Sequence, residues 1–328
     1  MEAGHEEDRD QPGLGDEMDA ILVDDLSKKF GDAIAVDKVS FAVKEGEIFG
    51  YLGPNGAGKT TTIRMLTTLV PPTSGSASIF GYDIMDQAYE AKRQFGVVPE
   101  TSNSYDDLTV WQNLMLSGQL YSMPKAERVS RGEELMSLLG LKAHRDKRSK
   151  HLSKGLRRRL VLGMALITSP RLLFLDEPTS GLDVESAKLF REMMSDLVKK
   201  GATIFLTTHN IEEASVLCGR VAIIVKGRIV ALDSPERLRM TIAATRSITI
   251  SATEAPANIE SMLSSIATVT AVMKEGDKWR MFTSDPPGVL LELNAIINKY
   301  GIKPTSINTY GPSLEDVFLT MVRNEGRS

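Results

Sequence analysis

The chain has 328 residues, enough for one large domain or two ordinary ones, and its 42% hydrophobic and 25% charged residues are close to the usual values for soluble globular proteins. Its single cysteine, Cys218, forms neither an internal disulfide nor a cysteine-rich metal site, which points to a reducing compartment. The net charge of −4 is uneven, because residues 1–19 hold eight acidic groups against Arg9 alone. So acidic a stretch, poor in apolar residues, is expected to be a disordered tail, and it lacks the basic start and apolar core of a secretion signal. No apolar run approaches the ~20 residues that cross a bilayer as a helix.

From 20 to about 240, short β-rich runs alternate with helical ones. Residues 47–52 read as a strand entering a glycine-rich loop, and 60–69 as the helix leaving it. Residues 107–168 hold helical stretches around 110–122, 125–139 and 155–168, expected to form a helical subdomain inserted into an α/β core. Runs 172–175, 203–206 and 221–225 are continuously apolar, the pattern of strands buried on both faces. Helical segments near 184–200 and 210–217 separate them, so the expected fold is an α/β domain with a largely parallel sheet. A helix ending near 240 closes it.

A second unit, 241–328, then reads strand 246–252, helix 256–265, strand 267–274, a turn at Glu275-Gly276-Asp277, strand 278–283, helix 287–299 and strand 302–309. That βαββαβ order predicts a small α+β, ferredoxin-like domain. A last helix is expected to start near Ser313, with Ser313 as N-cap and Asp316 as its partner.

The chemistry concentrates in two motifs. Gly53-Pro54-Asn55-Gly56-Ala57-Gly58-Lys59-Thr60-Thr61 fits G-x-x-x-x-G-K-[ST] between a strand and a helix. Glycines there let successive backbone N–H groups converge on phosphate oxygens, and the helix start adds partial positive charge. Lys59 is placed to reach the β/γ-phosphates, and Thr60 to offer a hydroxyl to Mg²⁺. The apolar run 172–175 ends in Asp176-Glu177-Pro178, two carboxylates at a strand end. Asp176 suits a Mg²⁺ that keeps most of its water, and Glu177 suits the polarisation of an attacking water.

This set resembles an ATP-binding cassette (ABC) ATPase of the P-loop NTPase class over residues 20–240. Leu152-Ser153-Lys154-Gly155-Leu156 is similar to the family's LSGGQ signature, with Lys154 and Leu156 departing from it. The resemblance implies that Ser153 and Gly155 bind the γ-phosphate of ATP held by a second cassette. It implies that Asp183, in Ser180-Gly181-Leu182-Asp183, touches the opposite site. His209 falls at the histidine that senses the γ-phosphate, and Phe30 at the aromatic that stacks on adenine. Glu100 stands where many relatives carry glutamine; it keeps an oxygen for Mg²⁺ but adds negative charge near the triphosphate. Gly311-Pro312-Ser313-Leu314-Glu315-Asp316-Val317-Phe318-Leu319 resembles the C-terminal motif of drug-, lipid- and polysaccharide-exporting ABC ATPases of the daunorubicin-resistance type.

The implied protein is an Mg²⁺-dependent ATPase subunit of an exporter. It would dimerise, attach to the cytoplasmic face of the membrane through a separate integral-membrane subunit, and use 241–328 for regulation. An importer ATPase and a cassette acting on the ribosome or DNA are the rivals. A single P-loop and the lack of zinc-type cysteines speak against the second. Nine basic residues between Lys142 and Arg159 lack interleaved aromatics, so they read as a solvated helical surface and no nucleic acid is expected.

Overall fold

In the computed structural model, residues 19–101, 103–241, 246–256, 258–311 and 313–325 are described. The acidic tail, apart from Asp19, lies outside them. Asp19 itself opens a strand and pairs with Lys44 at 3.0 Å.

The chain begins with two long strands, β1 (Asp19–Phe30) and β2 (Ala33–Lys44), before β3 (Ile48–Leu52) and α1 (Lys59–Leu66). Then follow β4 (Ser74–Ile79), β5 (Tyr82–Asp83), α2 (Ala88–Lys92) and β6 (Phe95–Val98). The helical insertion is α3 (Val110–Leu120), α4 (Lys125–Leu138) and α5 (Lys154–Leu166). β7 (Leu172–Asp176), α6 (Val184–Lys199), β8 (Thr203–Thr208), α7 (Ile211–Leu217), β9 (Arg220–Val225), β10 (Arg228–Asp233) and α8 (Pro235–Thr241) complete the cassette.

Two sheets share this domain. A six-stranded sheet runs β10-β9-β3-β8-β7-β6, parallel except at β10, and an antiparallel sheet runs β2-β1-β4-β5. The second sheet is an addition to the sequence expectation, which foresaw only the parallel one. Period-two alternation makes the parallel sheet the wall between two cores. Phe49, Tyr51, Phe174 and Phe205 face the antiparallel sheet, where Phe41 of β2 stacks on Phe49 with centroids 5.4 Å apart. Ile48, Leu52, Leu173, Leu175 and Leu206 face the opposite core, which the inserted helices share through Leu114, Leu135 and Leu160.

Register then positions the chemistry. Leu52 of β3 pairs with Thr208 of β8, and Asp176 of β7 with Thr207. Three adjacent parallel strands therefore end together, and the loops leaving them meet at the carboxyl edge of the sheet, the usual ligand edge of open α/β sheets.

The C-terminal unit is β11 (Arg246–Ala252), α9 (Ile259–Ser264), β12 (Val269–Glu275), β13 (Lys278–Thr283), α10 (Pro286–Tyr300) and β14 (Pro304–Tyr310), with strand order β12-β13-β11-β14 and every pair antiparallel. It has its own core of Ile248, Ile250, Trp279, Met281, Val289 and Leu293. The last helix, α11 (Leu314–Glu325), behaves differently. Ser313 and Asp316 form the reciprocal cap, with Asp316 N–H donating to Ser313 Oγ at 3.1 Å and Ser313 N–H to Asp316 Oδ2 at 2.9 Å. Yet Leu314 and Val317 are buried in the cassette's core, beside α7 and α8. Residues 241–328 are thus not one detached block: their final helix belongs to the cassette's packing, and cutting at 240 would strip two buried side chains from it.

Candidate functional site

The loop from β3 to α1 is pressed against its neighbours. Gly56 and Gly58 have φ of 79° and 109°, in the left-handed region, and a Cβ on Gly58 would lie 2.5 Å from the Ala35 carbonyl oxygen. A Cβ on Gly53 would lie 2.5 Å from the Ile224 oxygen. Lys59, at the start of α1, is buried, and its Nζ donates to Gly53 O at 2.7 Å and Pro54 O at 3.1 Å. The same Nζ is 3.2 Å from Glu177 Oε1.

Asn55, Gly56, Gly58, Lys59, Thr60 and Thr61 form one side of a cavity of about 500 Å³, and Ala35, Glu100, Glu177, Ser180 and His209 close it. Ala57 is buried behind the loop. Asp176, also buried, accepts from Thr60 Oγ1 at 3.5 Å and from Thr207 Oγ1. Glu177 follows the strand end with φ of 47°, a conformation unusual for a residue with a Cβ and costing on the order of 1–3 kcal/mol unless its surroundings hold it. Its N–H donates to Thr207 O at 3.0 Å, and its Oε2 accepts from His209 Nδ1 at 2.8 Å. Lys59, Glu177 and His209 thus form a continuous chain across the cavity.

The remaining expected residues lie elsewhere. Ser153 caps α5, accepting from Leu156 N–H at 3.3 Å, and neither it nor the buried Gly155 lines the cavity. Asp183 caps α6 by accepting from the Ser186 N–H and from the Ser186 hydroxyl, both at 2.8 Å; these bonds, backbone first, hold its carboxyl below the usual range. Phe30 ends β1, half exposed, with Lys28 Nζ 5.2 Å from its ring centroid, outside the cavity lining.

Three residues escaped the sequence reading. Thr207 links both acids, donating to Asp176 and receiving the Glu177 N–H. Glu213, buried one turn into α7, accepts from Thr179 Oγ1 at 2.7 Å, and burial raises its pKa. Arg158 is 3% exposed, buried beneath the acids, where a solvated basic surface was expected. Of the other basic residues, Arg145 packs 3.6 Å over the Trp111 ring, Lys150 pairs with Asp107 at 2.6 Å, and Arg157 donates to Ser149 O. The helical period carried a signal: Arg158 shares a stripe with Gly155, Leu162 and Leu166, all buried.

The profile of the family described as "ABC transporter" matches residues 36–180. Nod factor export ATP-binding protein I of Ralstonia nicotianae is 34% identical over 96% of this chain and 97% of its own length. The protein of the same name from Rhizobium etli is 35% identical over 94% and 95%. Among solved structures, an ATP-binding subunit of an ABC transporter superimposes with a TM-score of 0.62 at 32% identity, covering 68% of this chain and 93% of that one. CbiO1 of Clostridium perfringens, part of the cbiONQ transporter complex, shares the fold with a TM-score of 0.63 at 23% identity. A P-loop, an acid pair and a histidine brought to one sheet edge, with relatives that span nearly the whole chain, make this protein a member of the ABC transporter family: an ATP-binding, ATP-hydrolysing subunit.

Proposed function

We propose that this subunit powers export, working as a pair of cassettes on the cytoplasmic side of a separate integral-membrane subunit. The observation that carries export is that the relatives named for it align across 94–96% of the chain, through the C-terminal unit as well as the cassette. Among the described residues no helix is long and apolar enough to cross a membrane, and the reading assigns the cargo's path to the partner. A cargo of the drug, lipid or polysaccharide class fits the reading.

The chemistry follows from the cavity. The triphosphate lies along the P-loop, its charge met by backbone N–H groups, the start of α1 and Lys59. Phe30 stacks on adenine. Glu177 takes the proton of a water whose oxygen bonds the γ-phosphorus as the β–γ bridging bond breaks, giving ADP and phosphate. His209 holds the Glu177 carboxylate in place. Thr60 Oγ1 and Asp176 Oδ1, 3.5 Å apart, are a sparse oxygen set, and no cluster of three or more His, Cys, Asp or Glu that could hold a metal occurs among the described residues. Such a set fits Mg²⁺, which keeps its waters and takes phosphate oxygens, with Glu100 facing the same cavity. The bound ion would neutralise phosphate charge. The second cassette completes each site with Ser153, Gly155 and the Asp183 loop.

Purifying the tagged chain from detergent-solubilised membranes tests the export reading. It should bring down an integral-membrane subunit that supports ATP-dependent efflux in vesicles; a partner that carries cargo inward would overturn it. Glu100 offers a separate prediction. Glu100→Gln removes one negative charge beside the triphosphate while keeping an oxygen, relieving on the order of 1 kcal/mol. ATPase turnover should hold or rise up to about fivefold. A collapse of Mg²⁺-dependent turnover would mean the carboxylate itself is required.

A further inference from the structure

Arg158 spends its whole guanidinium on backbone. Nε donates to Pro178 O at 2.7 Å, Nη1 to Pro99 O and to Glu100 O at 3.1 Å, and Nη2 to Asp176 O at 2.9 Å and Glu177 O at 3.0 Å. An arginine has five N–H donors in a rigid planar fork, and every one is used here. The five carbonyls belong to two separate segments, the loop after β6 that carries Glu100 and the end of β7 that carries both acids. The side chain comes from a third, α5, whose N-cap is Ser153.

We propose that Arg158 is the positioning residue for Glu177, fixing the backbone that aims the catalytic carboxylate and tying it to the helix that carries the signature motif. Three observations carry this. First, Glu177 sits in the left-handed region, which a residue with a Cβ keeps only when its surroundings impose it. Thr207 holds its N–H, and Arg158 holds its carbonyl together with the Ser180 N–H at 3.1 Å, so among the described residues Arg158 is the one side chain that clamps the carbonyl side of the strained residue. Second, five carbonyls, three of them on the buried residues Asp176, Glu177 and Pro178, would lose a charged donor together if the guanidinium left, and the backbone that carries them would be freer to turn toward water or another donor. Third, Arg158 stands five residues beyond Ser153 on one helix, about 7.5 Å along its axis. A shift of α5 relative to β7 therefore acts on the Glu177 peptide directly, with no flexible loop between. Burial lowers the Arg158 pKa to about 10, while Asp176, Glu100 and Glu213 act in the opposite sense, so the group is cationic at neutral pH.

The inference rests on reading Glu177 as the base, and the test separates the two. Arg158→Ala, Arg158→Lys and Glu177→Gln are compared in the full chain for ATP affinity, with a fluorescent nucleotide, and for turnover per folded molecule. Arg158→Ala should keep ATP affinity within about threefold, because the P-loop is built from other contacts, yet lose on the order of a hundredfold in kcat through misplacement of the carboxylate. Millimolar guanidinium should restore part of the lost kcat by refilling the cavity, and methylammonium should not. Arg158→Lys keeps a cation but not the fork, and should lose turnover similarly; it carries the test if the alanine variant does not fold. Turnover within about twofold of wild type in either folded variant, or affinity falling in step with turnover, would overturn the proposal. If Glu177→Gln itself keeps turnover, the reading of the base fails instead.

Discussion

Glu177→Gln is expected to bind ATP about as tightly as the wild-type chain and to lose hydrolysis by on the order of 10²–10⁴-fold, the range for removing a positioned general base. The exchange keeps the side chain's size and leaves an oxygen for the His209 N–H that Glu177 Oε2 now receives at 2.8 Å. What it removes is the basicity and the negative charge 3.2 Å from Lys59. Losing that charge leaves Lys59 more available to phosphate, so affinity should hold or rise while the proton has no acceptor. An ATP-bound dimer should accumulate and be visible by sedimentation. Turnover near the wild-type value would show that another group takes the proton.

Lys59→Ala should fail at the earlier step. Its ammonium is buried at the root of α1 and held by the carbonyls of Gly53 and Pro54, so it is already confined where a phosphate would meet it. A hydrogen bond to a charged partner contributes about 1.5–3 kcal/mol, and tenfold in affinity corresponds to about 1.4 kcal/mol. ATP binding should therefore weaken by roughly 10–100-fold, measured by equilibrium titration of a fluorescent nucleotide. The variant also leaves Glu177 without its cation, so a melting curve belongs beside the titration. Unchanged affinity in a folded variant would mean that Lys59 acts only in the transition state.

The parts of the site that could be read from sequence are those carried by contiguous residues. The P-loop needs glycines at fixed offsets because the chain must turn through left-handed φ at Gly56 and Gly58, and that demand is written locally. The buried runs of β7, β8 and β9 were equally legible, since strands covered on both faces have no polar alternation. What stayed hidden depends on pairing across the chain. β1 forms a hairpin with β2 across Gly31-Asp32, but it reaches β4 only through long-range register, with shifts in both pairings, so no local pattern announces the sheet that β4 and β5 complete. Arg158 sat in a run of basic residues and was read by its charge, whereas its position on the buried stripe of α5 decides its fate. The cap of α11 was visible in Ser313 and Asp316, but not that Leu314 and Val317 would pack into a core assembled some hundred residues earlier.

The central claim is that each ATP is hydrolysed between the P-loop of one copy and the signature loop of another. It is tested most directly by mixing two inactive proteins, Lys59→Ala and Ser153→Asp. Asp caps a helix about as well as Ser, so α5 should keep its start while a carboxylate faces the incoming phosphate. Each variant alone should be nearly inactive, because both of its sites carry the same lesion. In the mixture, the hybrid dimer pairs an intact P-loop with an intact signature at one of its two sites, so phosphate release should recover to roughly a quarter of the wild-type rate. Activity in the mixture no greater than the average of the two variants measured separately would contradict the shared site.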